Sequence, residues 1–193
     1  MADDDIKVIL VGRTGTGKTN IINAIIGAKF NSSEMSTSTA AFVEKTINVN
    51  NKDYHLAIWD TAGQEKFRSL TKIFIKDAKI VIFVYSITDK ESFEEINFWL
   101  ETVKNILGDK PVFGLAGNKK DLFQQEEVGD EEGEDKAKEI GAIFKLTSAK
   151  TKIGIEDFVK KLAEEYAKKI GDIPDGSKGE KLKSGKEKKK SKC

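Results

Sequence analysis

Apolar runs of strand length alternate along the chain with stretches whose apolar residues fall at helical spacing. Ile6 to Val11 is the first β-rich run, and Thr19 to Ile26 follows as a helix expected to turn Ile21, Ile22, Ile25 and Ile26 inward. Phe42 to Val49 and Tyr54 to Trp59 read as two strands joined by Asn50, Asn51, Lys52 and Asp53, a composition suited to a hairpin turn. Ile80 to Tyr85, Val112 to Ala116 and Ile143 to Leu146 are nearly continuous apolar runs, the pattern of strands buried on both faces of a parallel sheet. Ser92 to Leu107 is expected to be helical, with Thr88 as its cap and Glu91 completing a capping box. Ile155, Phe158, Val159, Leu162 and Tyr166 give the last helix one apolar face. The alternation predicts an α/β fold wound on both sides of the sheet. Its six-stranded, mostly parallel sheet has one antiparallel edge strand and helices on both faces. Ligands of such sheets bind at the carboxyl ends of the strands.

After Ile170 the periodicity stops and Gly, Ser, Pro and Lys dominate, so residues 1–170 are expected to form one domain and 171–193 a flexible tail. The tail holds eight lysines against four acids, although the whole 193-residue chain carries only +1. That balance argues against a nucleic-acid partner recruited by overall positive charge. Cys193 is the only cysteine, so a disulfide scaffold is excluded. The acidic start, Met1 to Asp5, is not expected to act as a signal peptide, and no apolar stretch approaches the ~20 residues that span a bilayer. Seven carboxylates between Glu126 and Asp135 are expected to form a solvated loop and helix start, where acids suit the helix dipole.

Gly12-Arg13-Thr14-Gly15-Thr16-Gly17-Lys18-Thr19 fits the pattern G-x-x-x-x-G-K-[ST] between a predicted strand and a predicted helix. The glycines let backbone N–H groups turn toward phosphate oxygens, Lys18 reaches the outer phosphates, and the Thr19 hydroxyl can ligate Mg²⁺. By composition alone the pattern arises in roughly one random chain in a hundred. Asn118-Lys119-Lys120-Asp121 follows a predicted strand. A carboxylate such as that of Asp121 accepts from guanine N1–H and its exocyclic amine, a pair of donors that adenine lacks. The Lys119 stem and Phe30 can cover the two faces of the nucleoside. Trp59-Asp60-Thr61-Ala62-Gly63-Gln64 ends the third strand. There Asp60 would hold Mg²⁺ through water, the Gly63 N–H would sense a γ-phosphate, and Gln64 would orient the attacking water. Ser148-Ala149-Lys150, after the sixth strand, can present the Ala149 N–H to guanine O6.

These ordered motifs make the sequence resemble the Ras superfamily of small GTPases over residues 6 to 170, most nearly the Rab family. Trp59 to Glu65, Phe67 to Thr71 and Val84 to Thr88 are similar to Rab segments, and Ala40 to Phe42 with Ala116 to Lys119 to the early-endosomal branch. The resemblance implies GTP and GDP as ligands, Mg²⁺ as cofactor, and slow intrinsic hydrolysis catalysed by Lys18 and Gln64. It adds Thr14, Gly15, Thr16, Gly17 and Asn20 to the nucleotide-binding set. It also places the switch threonine 19 residues after Lys18, at Thr37, as a second metal ligand. Phe42, Trp59 and Phe74 fall at the family's effector-contacting aromatic positions. The implied partners are a GTPase-activating protein, an exchange factor and effectors. The implied setting is the cytosol, in exchange with the cytoplasmic face of an endomembrane. The basic tail, with a prenyl group on Cys193, would make the attachment. Ser38-Thr39 and Phe74-Ile75-Lys76-Asp77 depart from the family pattern, and Thr14 is bulkier than the family's usual residue there.

Three other readings stay open on sequence. A GTP-bound adaptor that does not hydrolyse would use the same base and phosphate motifs, as would a Ras-like signalling GTPase outside trafficking. A phosphate-loop kinase or ATPase would have no use for Asn118 to Asp121.

Overall fold

The computed structural model describes residues 5–30, 41–60 and 73–174. Six strands, β1 (Ile6–Val11), β2 (Ala41–Val49), β3 (Lys52–Asp60), β4 (Ile80–Ser86), β5 (Val112–Asn118) and β6 (Ile143–Leu146), form one sheet in the order β2-β3-β1-β4-β5-β6. All neighbours pair in parallel except β2 with β3, so the antiparallel strand is the β2 edge, as expected from the hairpin. The turn is tighter than the sequence suggests. Both strands run on until only Asn50 and Asn51 remain between them, at φ 50° and 64°. Two successive left-handed residues match the strand twist, and asparagine tolerates that conformation.

Side chains alternate across the sheet and feed two apolar layers. On β1, Ile6, Val8 and Leu10 face the layer built with α1 (Lys18–Ile25) and the last helix, α5 (Ile155–Lys169). Ile9 and Val11 face the other layer, with Trp99 and Val103 of α3 (Ile96–Leu107) and Ala137 and Ile140 of α4 (Asp130–Ile140). The strands β4 and β5 are buried along their whole length, which explains their unbroken apolar sequence.

Two expectations are corrected. Ile26 is not inward but 43% exposed. The helix closes at Ile25 because Gly27, at φ 79°, donates to Ala24 O while Ala28 donates to Asn23 O, a glycine-terminated closure that swings Ile26 outward. The second correction concerns the cap at Thr88. Its hydroxyl pairs with Ser86 Oγ at 2.9 Å, whereas the extended Asp89 accepts from Ser92 N at 3.1 Å. The helix therefore starts earlier, as α2 (Lys90–Glu94), and breaks at Glu95 before α3. The acids Asp130, Glu131 and Glu132 occupy the first turn of α4, where the helix dipole favours them.

Candidate functional site

The loop from Gly12 to Gly17 leaves the carboxyl end of β1 and enters α1. Its glycines answer to space as well as to dihedral angle. A Cβ on Gly12 would sit 2.1 Å from Val84 O, and one on Gly17, at φ 92°, would sit 2.5 Å from Asn118 Nδ2. Gly15, at φ 79°, has open space where its Cβ would be. Lys18 lies against the loop, only 5% exposed, and donates from Nζ to Gly12 O at 2.8 Å and Arg13 O at 2.9 Å. Thr16 Oγ1 donates to the same Arg13 carbonyl at 2.9 Å. Asn20 follows on α1, and its Oδ1 is buried without a hydrogen-bond partner among the described residues.

Burial pushes the Lys18 ammonium down to about 8, partly opposed by the charges of Asp60 and Glu95. The unfolded chain thus binds this proton more tightly, so this burial costs the nucleotide-free fold stability below about pH 8, and the cost fades as pH rises toward 10.5. A phosphate bound against Lys18 would select the protonated form. With divalent metal absent, GDP affinity is therefore expected to hold steady below about pH 8 and to fall by up to tenfold per unit above it. Calorimetric titration between pH 7 and 9.5 checks this, and a flat profile would contradict it.

At the end of β3, Asp60 Oδ2 accepts from Thr19 Oγ1 at 2.8 Å. The two expected metal ligands thus share one corner beside Lys18, and their hard oxygen donors fit Mg²⁺. The other two motifs meet behind the loop. Asn118, only 2% exposed, donates from Nδ2 to Thr16 O at 2.8 Å. Its Oδ1 accepts from Thr147 Oγ1 at 3.3 Å and Ala149 N at 3.2 Å. Sequence reasoning missed this role of Asn118 as the pin between phosphate loop and base motif. The Ala149 N–H, expected to face guanine O6, is engaged by Asn118 instead. Lys119 takes a left-handed turn at φ 70°, and Lys120 N donates to Thr147 O at 3.0 Å, clasping the two base-side loops together. Asp121 Oδ1 accepts from Ser148 Oγ at 2.6 Å, while Ser148 Oγ also accepts from Thr151 N at 3.1 Å. Ser148 is thus both a turn cap and the residue that orients Asp121. Lys150 is exposed next to it, and Phe30, at the end of its described segment, is 40% exposed.

Arg13 is engaged by the acids in and flanking α2. Its guanidinium meets Asp89 at 3.4 Å, Glu95 at 3.8 Å, and Glu91 more closely still. The three aromatic positions form one row: Phe42 stacks on Trp59 at 5.1 Å between ring centroids, and Trp59 meets Phe74 at 5.7 Å. Phe42 is 45% exposed, whereas Trp59 packs partly into the core layer of α3. Thr37, Gly63, Gln64 and Cys193 lie outside the described residues.

Comparison with known proteins agrees with this arrangement. The profile of the Ras family matches residues 7–168. The chain is 39% identical over 158 residues to the Ras-related protein Rab-21 of Geodia cydonium, covering 82% of this chain and 69% of that one. It is 39% identical over 151 residues to Rab-21 of Bos taurus, covering 78% and 68%. With Rab-21 of Homo sapiens the identity is also 39% over 151 residues, covering 78% and 67%. Motif order, sheet topology and likeness over most of the chain agree, and the chain belongs to the Ras family as a Rab-like small GTPase.

Proposed function

We propose that this GTPase is a guanine-nucleotide switch that recruits effectors in membrane trafficking. The observation that carries the site reading is the junction at Asn118. One buried amide joins the loop that presents Lys18 to the loops that present Asp121 and Ser148, so phosphate and base are read by one rigid unit. The likeness to Rab-21 proteins supports the trafficking assignment.

In this reading Lys18 neutralises charge on the outer phosphates, and Thr19 and Thr37, with Asp60 through water, would hold Mg²⁺. When bound, Mg²⁺ would supply further neutralisation of the phosphate oxygens. Gly63 N–H contacts the γ-phosphate and Gln64 orients water for in-line attack. When the Pγ–O bond breaks, its electron pair stays on the β-phosphate of GDP, where Lys18 offsets the charge, and the attacking water supplies the new oxygen of inorganic phosphate while its proton passes to phosphate and solvent. Arg13 is held by three carboxylates and Arg68 lies beyond Gln64, so neither serves as a charge-stabilising finger within the chain. Rapid turnover therefore needs an activating protein, and an arginine supplied in trans is worth on the order of 10³–10⁵ in rate. Displacement of a fluorescent GDP by unlabelled GDP but not by ADP tests the base assignment; equal displacement by ADP overturns it.

Thr37 contacts metal and γ-phosphate only in the triphosphate state, so Thr37→Ala is expected to spare GDP affinity and weaken GTP-dependent ordering of the segment around it. Protease protection with GTP against GDP reads this out. An effect of Ser38→Ala or Thr39→Ala with Thr37→Ala silent would move the assignment to the neighbouring hydroxyl.

Phe42, Trp59 and Phe74 form the effector-facing row, and exchange factors act on the same nucleotide-dependent surface. The tail attaches the protein to an anionic endomembrane surface. From Glu180 to Lys192 seven lysines oppose two glutamates, directly before Cys193. A lipid chain on Cys193 plus that basic stretch provides the two signals that stable anchoring needs. Cys193→Ser is expected to move the protein to the cytosol with unchanged GDP affinity. Fractionation with intact-mass analysis decides it, and an unmodified Cys193 in the membrane fraction would refute the lipid anchor.

A further inference from the structure

We propose that Arg13 is a positioning residue: its guanidinium, held by Asp89, Glu91 and Glu95, braces the phosphate loop against the α2–α3 break and slows escape of bound nucleotide. This rests on the reading of the loop as a guanine-nucleotide site. Arg13 is the hub of the loop's own hydrogen bonds. Its carbonyl accepts from Lys18 Nζ and from Thr16 Oγ1, both at 2.9 Å, so a shift of Arg13 moves the ammonium that meets the phosphates. On the far side the brace is tied to regular structure. Asp89 Oδ1 meets Arg13 and also caps α2 through Ser92 N, at 3.1 Å. Ser92 Oγ accepts in turn from Ser86 N, at 2.9 Å, the last residue of β4. Glu91 and Glu95 stand four residues apart across the end of α2, and both carboxylates reach the same guanidinium.

The charge arrangement supports the same role. A cation in a phosphate loop would ordinarily add to anion attraction, but three acids offset the charge of this one. Glu95 also acts on the buried Lys18, whose ammonium its charge favours. The guanidinium is 34% exposed, so the brace is screened by solvent and its effect is moderate rather than absolute.

Release of fluorescent GDP from the full chain tests this directly. Arg13→Ala is expected to release GDP about 5- to 10-fold faster, with the association rate changed less than about twofold. Arg13→Lys is expected to fall between, because one ammonium cannot fork across three carboxylates. Glu91→Gln is expected to speed release in the same direction by a smaller factor and to add little to Arg13→Ala, since both remove the same contact. Added salt should speed release from the wild type but not from Arg13→Ala. Wild-type release rates in Arg13→Ala, or full additivity of Glu91→Gln with it, would overturn the brace. Should Arg13→Ala not fold, Arg13→Lys and Glu91→Gln carry the same comparison, and wild-type rates in both overturn it. Failure of the wild type to retain GDP would instead overturn the site reading, a separate and visible result.

Discussion

Gln64→Leu is expected to leave GTP and GDP affinity within about twofold while reducing activator-stimulated hydrolysis by ~10³-fold or more. The asymmetry follows from what holds the nucleotide. In the proposed reading the ground state is held by Lys18, which lies against its loop, and by Asp121, which Ser148 orients, and Gln64 has no part in that grip. Gln64 stands four residues beyond Asp60, the last residue of β3, in the sequence. In the proposed reading its amide acts on the water, which matters only as the new bond forms. A loss of 10³ in rate corresponds to ~4 kcal/mol of barrier. Single-turnover assays with an activating protein measure it, and undiminished hydrolysis would place water positioning elsewhere.

Asp121→Asn is expected to weaken GDP by ~10²–10³-fold and to improve xanthosine diphosphate. The carboxylate is oriented by Ser148 Oγ at 2.6 Å on one oxygen, which leaves lone pairs on the other for two base donors. An asparagine keeps the Ser148 contact, because its Oδ1 still accepts, so the local fold is retained. Its amide hydrogens, however, would oppose the exocyclic amine of guanine, and a buried donor left facing a donor is heavily penalised. Xanthine carries a carbonyl at that position and accepts the amide. Competition binding with both diphosphates reads the change in preference, and an unaltered GDP affinity would show that Asp121 does not face the base.

The motifs were legible because their chemistry is local. A glycine spacing, a lysine and a hydroxyl one residue on specify a phosphate loop without knowledge of anything distant, and unbroken apolar runs predict buried parallel strands. What stayed hidden depends on partners far apart in sequence. Asn118 reads as a base contact, yet its amide nitrogen binds Thr16 O, 102 residues away, and so pins the loop. Arg13 reads as one of four loop residues of no fixed identity, until α2 and the residues at its two ends bring three acids to it. Local rivalry accounts for the other differences. Thr88 and Asp89 can both cap a helix, and the choice turned on Ser86, whose hydroxyl occupies Thr88. Gly27 was the available signal that α1 stops before Ile26 can turn inward.

The central claim, that the phosphate loop and the Asn118 to Asp121 motif together bind and turn over guanine nucleotide, is tested most directly by chromatographic analysis of bound and released nucleotide. The purified full chain is supplied with equal GTP and ATP in the presence of Mg²⁺. The account predicts one guanine nucleotide bound per chain, slow conversion of GTP to GDP and phosphate, and ATP left unchanged; bound or hydrolysed ATP, or a chain that retains no guanine nucleotide, would contradict it.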